Sequence, residues 1–180
     1  MNASISPAQR WQQIVASIQQ ELCCVPEDEL QWIKQNLVNI HALQSELHQL
    51  FIAGDGLNQC QECQGDCCDL GNNHMTLVNV LSGLLFNNLP AANFAQSCPF
   101  MGAHGCTLAV QTRPFNCVTF ICERIEARLS AEQCQEFYAL EKQLRAQYQA
   151  FDQRYIGSSL RGLLIRSQSM PGSKFLAGCD

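Results

Sequence analysis

The segment CQECQGDCC, from Cys60 to Cys68, carries four cysteines in nine residues. Cys60 and Cys63 have C-x2-C spacing, in which one tight turn directs both thiolates to a single ion. Gly65 permits a sharp bend before Cys67 and Cys68. Adjacent side chains in an extended segment point apart. We therefore expect Cys67 and Cys68 to bind different metals, or one to bind metal while the other packs or forms a bridge.

A second cysteine block extends from Cys98 to Cys122. Its segments CPFMGAHGC and RPFNCVTFIC supply Cys98, Cys106, Cys117 and Cys122. The two blocks together provide eight thiols, which suffice for two four-thiolate sites or for one site with spare thiols. An isolated cysteine usually packs as a small hydrophobic residue, but eight in two blocks with a C-x2-C pair favour metal binding.

Length, charge and hydropathy limit the class of protein. The 180 residues suit a single domain, residues 1–180, with a cysteine module at about residues 57–125. A net charge of −5 and the lack of a basic stripe argue against a nucleic-acid partner. The first residues do not resemble a secretory signal, and no apolar run is long enough to span a membrane. We therefore expect a cytoplasmic protein with no membrane partner, in which clustered thiols are metal ligands or redox groups more often than disulfides.

The order of the cysteines resembles that of the YkgJ-like cysteine-cluster family, which is described as a zinc- or iron-chelating domain. The resemblance covers about 63 residues and includes the landmarks Cys98-Pro99, Gly105-Cys106 and Arg113-Pro114. One feature differs, since three residues separate Cys63 from Cys67 where the family form has two. The resemblance implies a metal site built from Cys60, Cys63, Cys67, Cys68, Cys98, Cys106, Cys117 and Cys122.

The identity of the metal stays open at this point. Zinc accepts four thiolates in a tetrahedron and has no redox chemistry, whereas thiolates also hold iron–sulfur clusters. The resemblance extends to flagellin lysine methylases, whose similar cluster is associated with iron–sulfur chemistry, although no methyl-donor site is recognisable here. The sequence predicts a zinc- or iron-binding protein. The alternatives are an iron–sulfur redox protein or component of a protein-modifying enzyme, which would have a protein partner, and a metal-free thiol–disulfide module.

Several polar residues near the blocks could either take part in the metal site or lie on the surface. Arg113 could donate hydrogen bonds to a thiolate or a carboxylate, or lie on the surface beside its proline. His104 could replace a thiolate, although a turn residue is the simpler interpretation, and His74 is a weaker candidate ligand. Three carboxylates lie in or next to the first block and are predicted to belong to a solvated loop. They are Glu62, Asp66 and Asp69. No complete catalytic constellation is recognisable, so an enzymatic activity is neither predicted nor excluded.

Residues outside the blocks are predicted to have structural roles. His41 and His48 lie seven residues apart on one helical face, which we expect to be polar surface. Helix packing is the expected role of Cys23, Cys24 and Cys134, and a vicinal redox pair is the alternative for Cys23 and Cys24. Cys179 is predicted to be an exposed thiol in a loose C-terminal tail.

The flanking segments predict an all-α fold. Apolar residues recur every three or four positions after Pro26, up to Gly54 and Gly56, and again from Phe137 to Tyr155. We expect these two long antiparallel helices to form a bundle, with the loop-rich cysteine metal-binding module inserted between them. The same stripes could also pair two chains, so the oligomeric state stays open. The sequence predicts helix starts at Ser6-Pro7 and at Ser130. It also predicts a buried helix between the two cysteine blocks and a short helix over Leu160–Ile165.

Overall fold

The computed structural model describes residues 5–63, 66–86, 89–103 and 105–176. These residues are mostly helical, so the all-α prediction is confirmed. The helices are α1 Pro7–Leu22, α2 Glu27–Ala53, α3 Gly56–Glu62, α4 Leu77–Leu85, α5 Phe115–Thr119, α6 Glu123–Glu126, α7 Ala131–Arg154 and α8 Leu163–Ser169. Two 3-10 helices, Asp66–Asn73 and Val110–Thr112, and a two-stranded antiparallel sheet, β1 Met101–Gly102 and β2 Gly105–Cys106, complete the described elements.

The helix starts follow from local side-chain chemistry. Ser6 and Ser130 each accept a hydrogen bond from the backbone N–H three residues later, at Gln9 and Gln133. The side-chain oxygen of each glutamine in turn accepts a hydrogen bond from the backbone N–H of the cap serine, which completes a capping box. The predicted starts of α1 and α7 are therefore confirmed.

The end of α2 differs from its prediction at one glycine. Helix α2 stops at Ala53 and Gly54, as expected. Asp55 then adopts a left-handed backbone with φ of 60°, which separates α2 from the next helix. Gly56 does not serve as a second stop, because it is the first residue of α3.

Helices α2 and α7 lie side by side in opposite directions. At one end, Glu29 near the start of α2 pairs with Arg154 at the end of α7. At the other end, Asp55 lies 3.8 Å from Arg128, just before α7. Their facing stripes are buried, with Ile33, Leu37, Ile40 and Leu47 on α2 and Phe137, Leu144, Tyr148 and Phe151 on α7. Each such side chain contributes about 1.5–3 kcal/mol relative to exposure.

The predicted helix between the blocks is α4, and it is buried along most of its length. Backbone hydrogen bonds connect its entry to the segment that precedes α8. Leu77 donates to the carbonyl of Ser158 over 2.7 Å, and Leu163 donates to that of Met75 over 2.8 Å. The chain that leaves the first cysteine block is therefore fixed against the C-terminal part of the fold.

The prediction of a loose tail is wrong for the described residues up to 176. Helix α8 begins and ends later than the predicted Leu160–Ile165 helix, and Phe175 and Leu176 are buried. The Glu21 carboxylate accepts hydrogen bonds from both of their backbone N–H groups, over 2.7 and 2.6 Å. The Arg166 guanidinium stacks 4.4 Å from the Phe175 ring centre. Cys179 lies outside the described residues.

The predicted polar face of α2 is also wrong. His41 is half-buried, and its Nε2 lies 2.7 Å from the hydroxyl of Ser82 on α4. His48 is half-buried and stacks on Phe51 at 5.6 Å between ring centres. Burial lowers the pKa of both histidines. Among the residues that the structure describes, no helix is both long and apolar enough to cross a membrane.

Candidate metal centre

The first cysteine block begins at the end of α3 rather than in an open turn. Cys60 lies in the helix and Cys63 follows its last residue, so the two are one helical turn apart and share a face. The Cys63 thiol donates to the carbonyl of Cys60 over 3.6 Å. The C-x2-C pair therefore lies at a helix end, where residues three positions apart share a face.

Cys67 and Cys68 lie on the 3-10 helix Asp66–Asn73, which corrects the extended segment expected from the sequence. A 3-10 helix has three residues per turn, so neighbouring side chains diverge by about a third of a turn. Cys68 is half-buried, whereas the side chain of Cys67 lies outside the described part. Glu62 and Asp66 are exposed, as predicted, and the side chain of Asp69 is not described.

The second block begins with a tight hairpin that connects Cys98 to Cys106. Met101 in β1 pairs with Cys106 in β2, and the Met101 N–H donates to the Cys98 carbonyl over 3.1 Å. The pKa of the Cys98 thiol is raised overall, because burial and the charge of Cys106 outweigh the hydrogen bonds from the backbone amides of Phe100 and Met101, which lower it. Amides that donate to sulfur stabilise a thiolate and are a common feature around metal-bound cysteines. His104, in the turn, lies outside the described residues.

Gly71, three residues after Cys68, joins the end of the first block to the second. It belongs to the 3-10 helix that carries Cys68, and it packs against Cys98. A Cβ atom added to Gly71 would lie 2.8 Å from Sγ and 2.9 Å from Cβ of Cys98. Only a residue without a side chain permits this approach.

A second contact joins His74, in the segment that follows the first block, to Cys117 in the second block. The Nδ1 atom of His74 lies 3.7 Å from Sγ of Cys117 on α5. The His74 backbone N–H donates to the carbonyl of Gly71 over 3.2 Å, so His74 belongs to the same compact segment as Gly71. His74 is half-buried, and burial lowers its pKa.

The remaining cysteines of the two blocks lie on neighbouring elements. Cys122 is the N-cap of α6, and α6 packs against α3, which carries Cys60. A Cβ added to Gly54, just before α3, would lie 2.8 Å from the side chain of Ile125 in α6. The fold therefore places the start of the first block beside the end of the second.

The Arg113-Pro114 turn is positioned by its main chain rather than by the predicted guanidinium contacts. Arg113 Nε donates to the carbonyl of Leu108 over 3.3 Å. The Arg113 carbonyl accepts a hydrogen bond from Gln44 on α2 over 2.8 Å and one from Asn79 on α4 over 3.0 Å. Since Pro114 leads directly into α5, these bonds fix the helix that presents Cys117.

Three buried polar residues that position this turn were missed by the sequence analysis, Gln44, Asn79 and Tyr148. Asn79 also donates to the Tyr148 hydroxyl over 3.1 Å, and burial raises the pKa of that hydroxyl. Gln44 interrupts the apolar stripe of α2, and Asn79 interrupts the apolar run of α4. Such a polar residue at a core position is the signal that could have identified them, because buried polar groups need partners.

The cysteines outside the blocks divide into two cases. Cys134 is half-buried, and its thiol lies 3.9 Å from the carbonyl of Glu126, in keeping with the predicted packing. Cys23 and Cys24 are exposed at the end of α1, so the packing predicted for them is wrong.

Within the described residues, no group of three or more His, Cys, Asp or Glu side chains converges to hold a metal ion. The contacts that bring the blocks together are pairwise, and the ligand set stays a prediction. No family model, curated protein or solved structure was found to match this chain.

Proposed function

We propose that the chain is a cytoplasmic metal-binding protein that holds zinc or iron through the thiolates of both cysteine blocks, as a member of the YkgJ-like cysteine-cluster family. In this proposal the long helices form a bundle that supports an inserted cysteine module. The observation that carries it is the direct packing of Gly71, on the 3-10 helix that ends the first block, against Cys98, which opens the second.

The donor set fits a soft or borderline metal. Thiolates suit zinc, ferrous iron and iron–sulfur clusters, whereas magnesium and calcium prefer oxygen. The exposed carboxylates Glu62 and Asp66 flank the first block and do not form part of the proposed ligand set. Burial raises the pKa of the Cys98 thiol above its ordinary value, although the amides of Phe100 and Met101 partly offset this effect in favour of the thiolate that binds metal.

The cysteine segments have little regular structure to hold them together. They consist of the seven-residue α3, an eight-residue 3-10 helix, a hairpin of two two-residue strands and the five-residue α5, with turns between them. A metal that binds ligands from both blocks would add binding free energy to the folding of this part. We therefore expect metal removal to destabilise the module more than the α2–α7 pair, whose contacts are apolar.

Elemental analysis and a visible spectrum of anaerobically purified protein test the proposal. Colourless protein with stoichiometric zinc supports a zinc site without redox chemistry. Brown protein with bound sulfide supports the iron–sulfur alternative, either a redox protein or a component of a protein-modifying enzyme. Protein that contains neither metal, and whose thiols are oxidised, would overturn the proposal in favour of a thiol–disulfide module.

A further inference from the structure

The only histidine that the described residues place against a cysteine of the two blocks is His74. Its Nδ1 atom faces Sγ of Cys117 at 3.7 Å. The imidazole is half-buried, immediately after the 3-10 helix that carries Cys68. His74 thus lies where the two blocks meet.

The separation between these two atoms matches that of two ligands on one metal ion. Zinc–sulfur bonds are about 2.3 Å and zinc–nitrogen bonds about 2.0–2.1 Å, so a tetrahedral angle separates the two donors by about 3.6 Å. The observed 3.7 Å allows one ion to lie within bonding distance of both atoms. A direct hydrogen bond is the competing interpretation of the same pair.

We propose that His74 is a metal ligand, adjacent to Cys117, so that the centre contains nitrogen as well as sulfur donors. This inference rests on the proposed function and changes its ligand set, which the sequence predicts to be all-thiolate. The further ligands come from the cysteines of the two blocks.

The surroundings hold both donors in this relation. The His74 backbone donates to Gly71, which packs on Cys98, so the imidazole is held close to the second block. Cys117 is held through the start of its helix, since the Arg113 carbonyl that precedes this helix accepts hydrogen bonds from Gln44 and Asn79. Phe115, on the same short helix, packs on the Tyr148 ring at 5.3 Å between centres.

A nitrogen ligand has chemical consequences for the site. Neutral imidazole in place of a thiolate makes the centre less negative by one charge. For zinc, the result is a cysteine–histidine site of the structural kind. For an iron–sulfur cluster, replacing thiolate by imidazole raises the reduction potential.

Cobalt(II) titration of the full chain, anaerobic and stripped of metal, tests the inference. Cobalt is the probe because its visible bands move to longer wavelength when sulfur replaces nitrogen in a tetrahedral site. His74→Asn keeps an amide that can hydrogen-bond to Cys117 but lacks a good nitrogen donor. His74→Cys supplies a thiolate instead. His48→Asn, on α2 beside Phe51, is the matched control, and thermal melts of all variants report folding.

We expect His74→Asn to weaken cobalt binding by more than about tenfold, since even residues that only support a ligand cost that much. His74→Cys should bind cobalt with its bands at longer wavelength, and His48→Asn should behave as the parent protein. If His74→Asn kept the affinity and spectrum of the parent, the inference would be wrong while the proposed function stood. Weaker binding with unchanged bands in both His74 variants would also overturn it, because His74 would then only position Cys117. If the parent protein bound no cobalt, zinc or iron, both proposals would fail.

Discussion

Gly71 and Cys98, which are 27 positions apart in the chain, touch so closely that a methyl group cannot be inserted between them. The contact joins the 3-10 helix of the first block to the residue that opens the second. It makes the arrangement of the two blocks sensitive to a single added carbon atom.

Gly71→Ala should therefore separate the blocks. The added Cβ would lie 2.8 Å from Sγ of Cys98, so one of the two segments must move. We expect a loss of about 1–3 kcal/mol in the free energy of unfolding, and lower metal content per chain. Urea denaturation and elemental analysis measure the two effects.

A double-mutant cycle in the metal-free protein isolates this contact. Cys98→Gly removes the atoms that an alanine at position 71 would meet. Gly71→Ala should then cost less in the Cys98→Gly background than in the parent. Equal costs in both backgrounds would show that the two residues do not touch.

Asn79→Ala should destabilise the protein and disturb the second block. The substitution leaves the Tyr148 hydroxyl and the Arg113 carbonyl without the amide that they share. We expect a cost of about 1–3 kcal/mol by urea denaturation, with weaker metal binding because the entry to α5 loosens. Asn39→Ala, on the exposed side of α2, should change the stability by less than about 0.5 kcal/mol. Similar costs for the two substitutions would contradict the buried network.

Protonation of the Glu29 carboxylate should lower the free energy of unfolding at acidic pH. The hydrogen bond from Arg154 is the largest influence and, with that from Tyr155, it outweighs burial and lowers the pKa of Glu29 below its ordinary 4.5. A carboxyl with a lowered folded pKa stabilises the fold above its unfolded pKa and loses that stabilisation as pH falls through the folded value. Between neutral pH and strongly acidic pH, the parent should therefore lose more stability than Glu29→Gln. Glu46→Gln, which is exposed, should follow the parent, and an identical acid response in Glu29→Gln would exclude this role.

Glu21→Gln should release the C-terminal segment. The carboxylate accepts two backbone N–H groups, and bonds to a charged acceptor are stronger than neutral ones. We expect faster hydrogen exchange at the amides of Phe175 and Leu176, with little change in the middle of α7. Unchanged exchange at these two amides would show that Glu21 does not hold the C-terminal segment. Glu136→Gln, which changes an exposed carboxylate, is the control.

The parts of the fold that follow local rules could be predicted from the sequence. The stripes of α2 and α7 repeat at helical spacing, and Ser130 caps its helix through a neighbour three residues away. Such signals need no knowledge of distant residues. The stop at Gly54 was likewise predictable, whereas the left-handed backbone of Asp55 and the immediate start of α3 were not.

Contacts between distant segments account for what the sequence did not reveal. The hydrogen bonds that the Glu21 carboxylate accepts from Phe175 and Leu176 join residues that are far apart in the sequence. The residues of the tail gave no local signal of this contact. Likewise, the order of cysteines does not reveal that Gly71 meets Cys98, or that His74 meets Cys117. Those meetings depend on how α4, α5 and α8 pack, which one-dimensional spacing does not encode.

The metal content of matched cysteine variants tests the central claim most directly. Cys60→Ser changes the first block and Cys117→Ser the second, while Cys24→Ser changes an exposed residue at the end of α1. If both blocks serve the metal, zinc or iron per chain and the melting temperature should fall in each of the first two variants and stay at the parent level in the third. Full metal content and unchanged melting in both Cys60→Ser and Cys117→Ser would contradict the account.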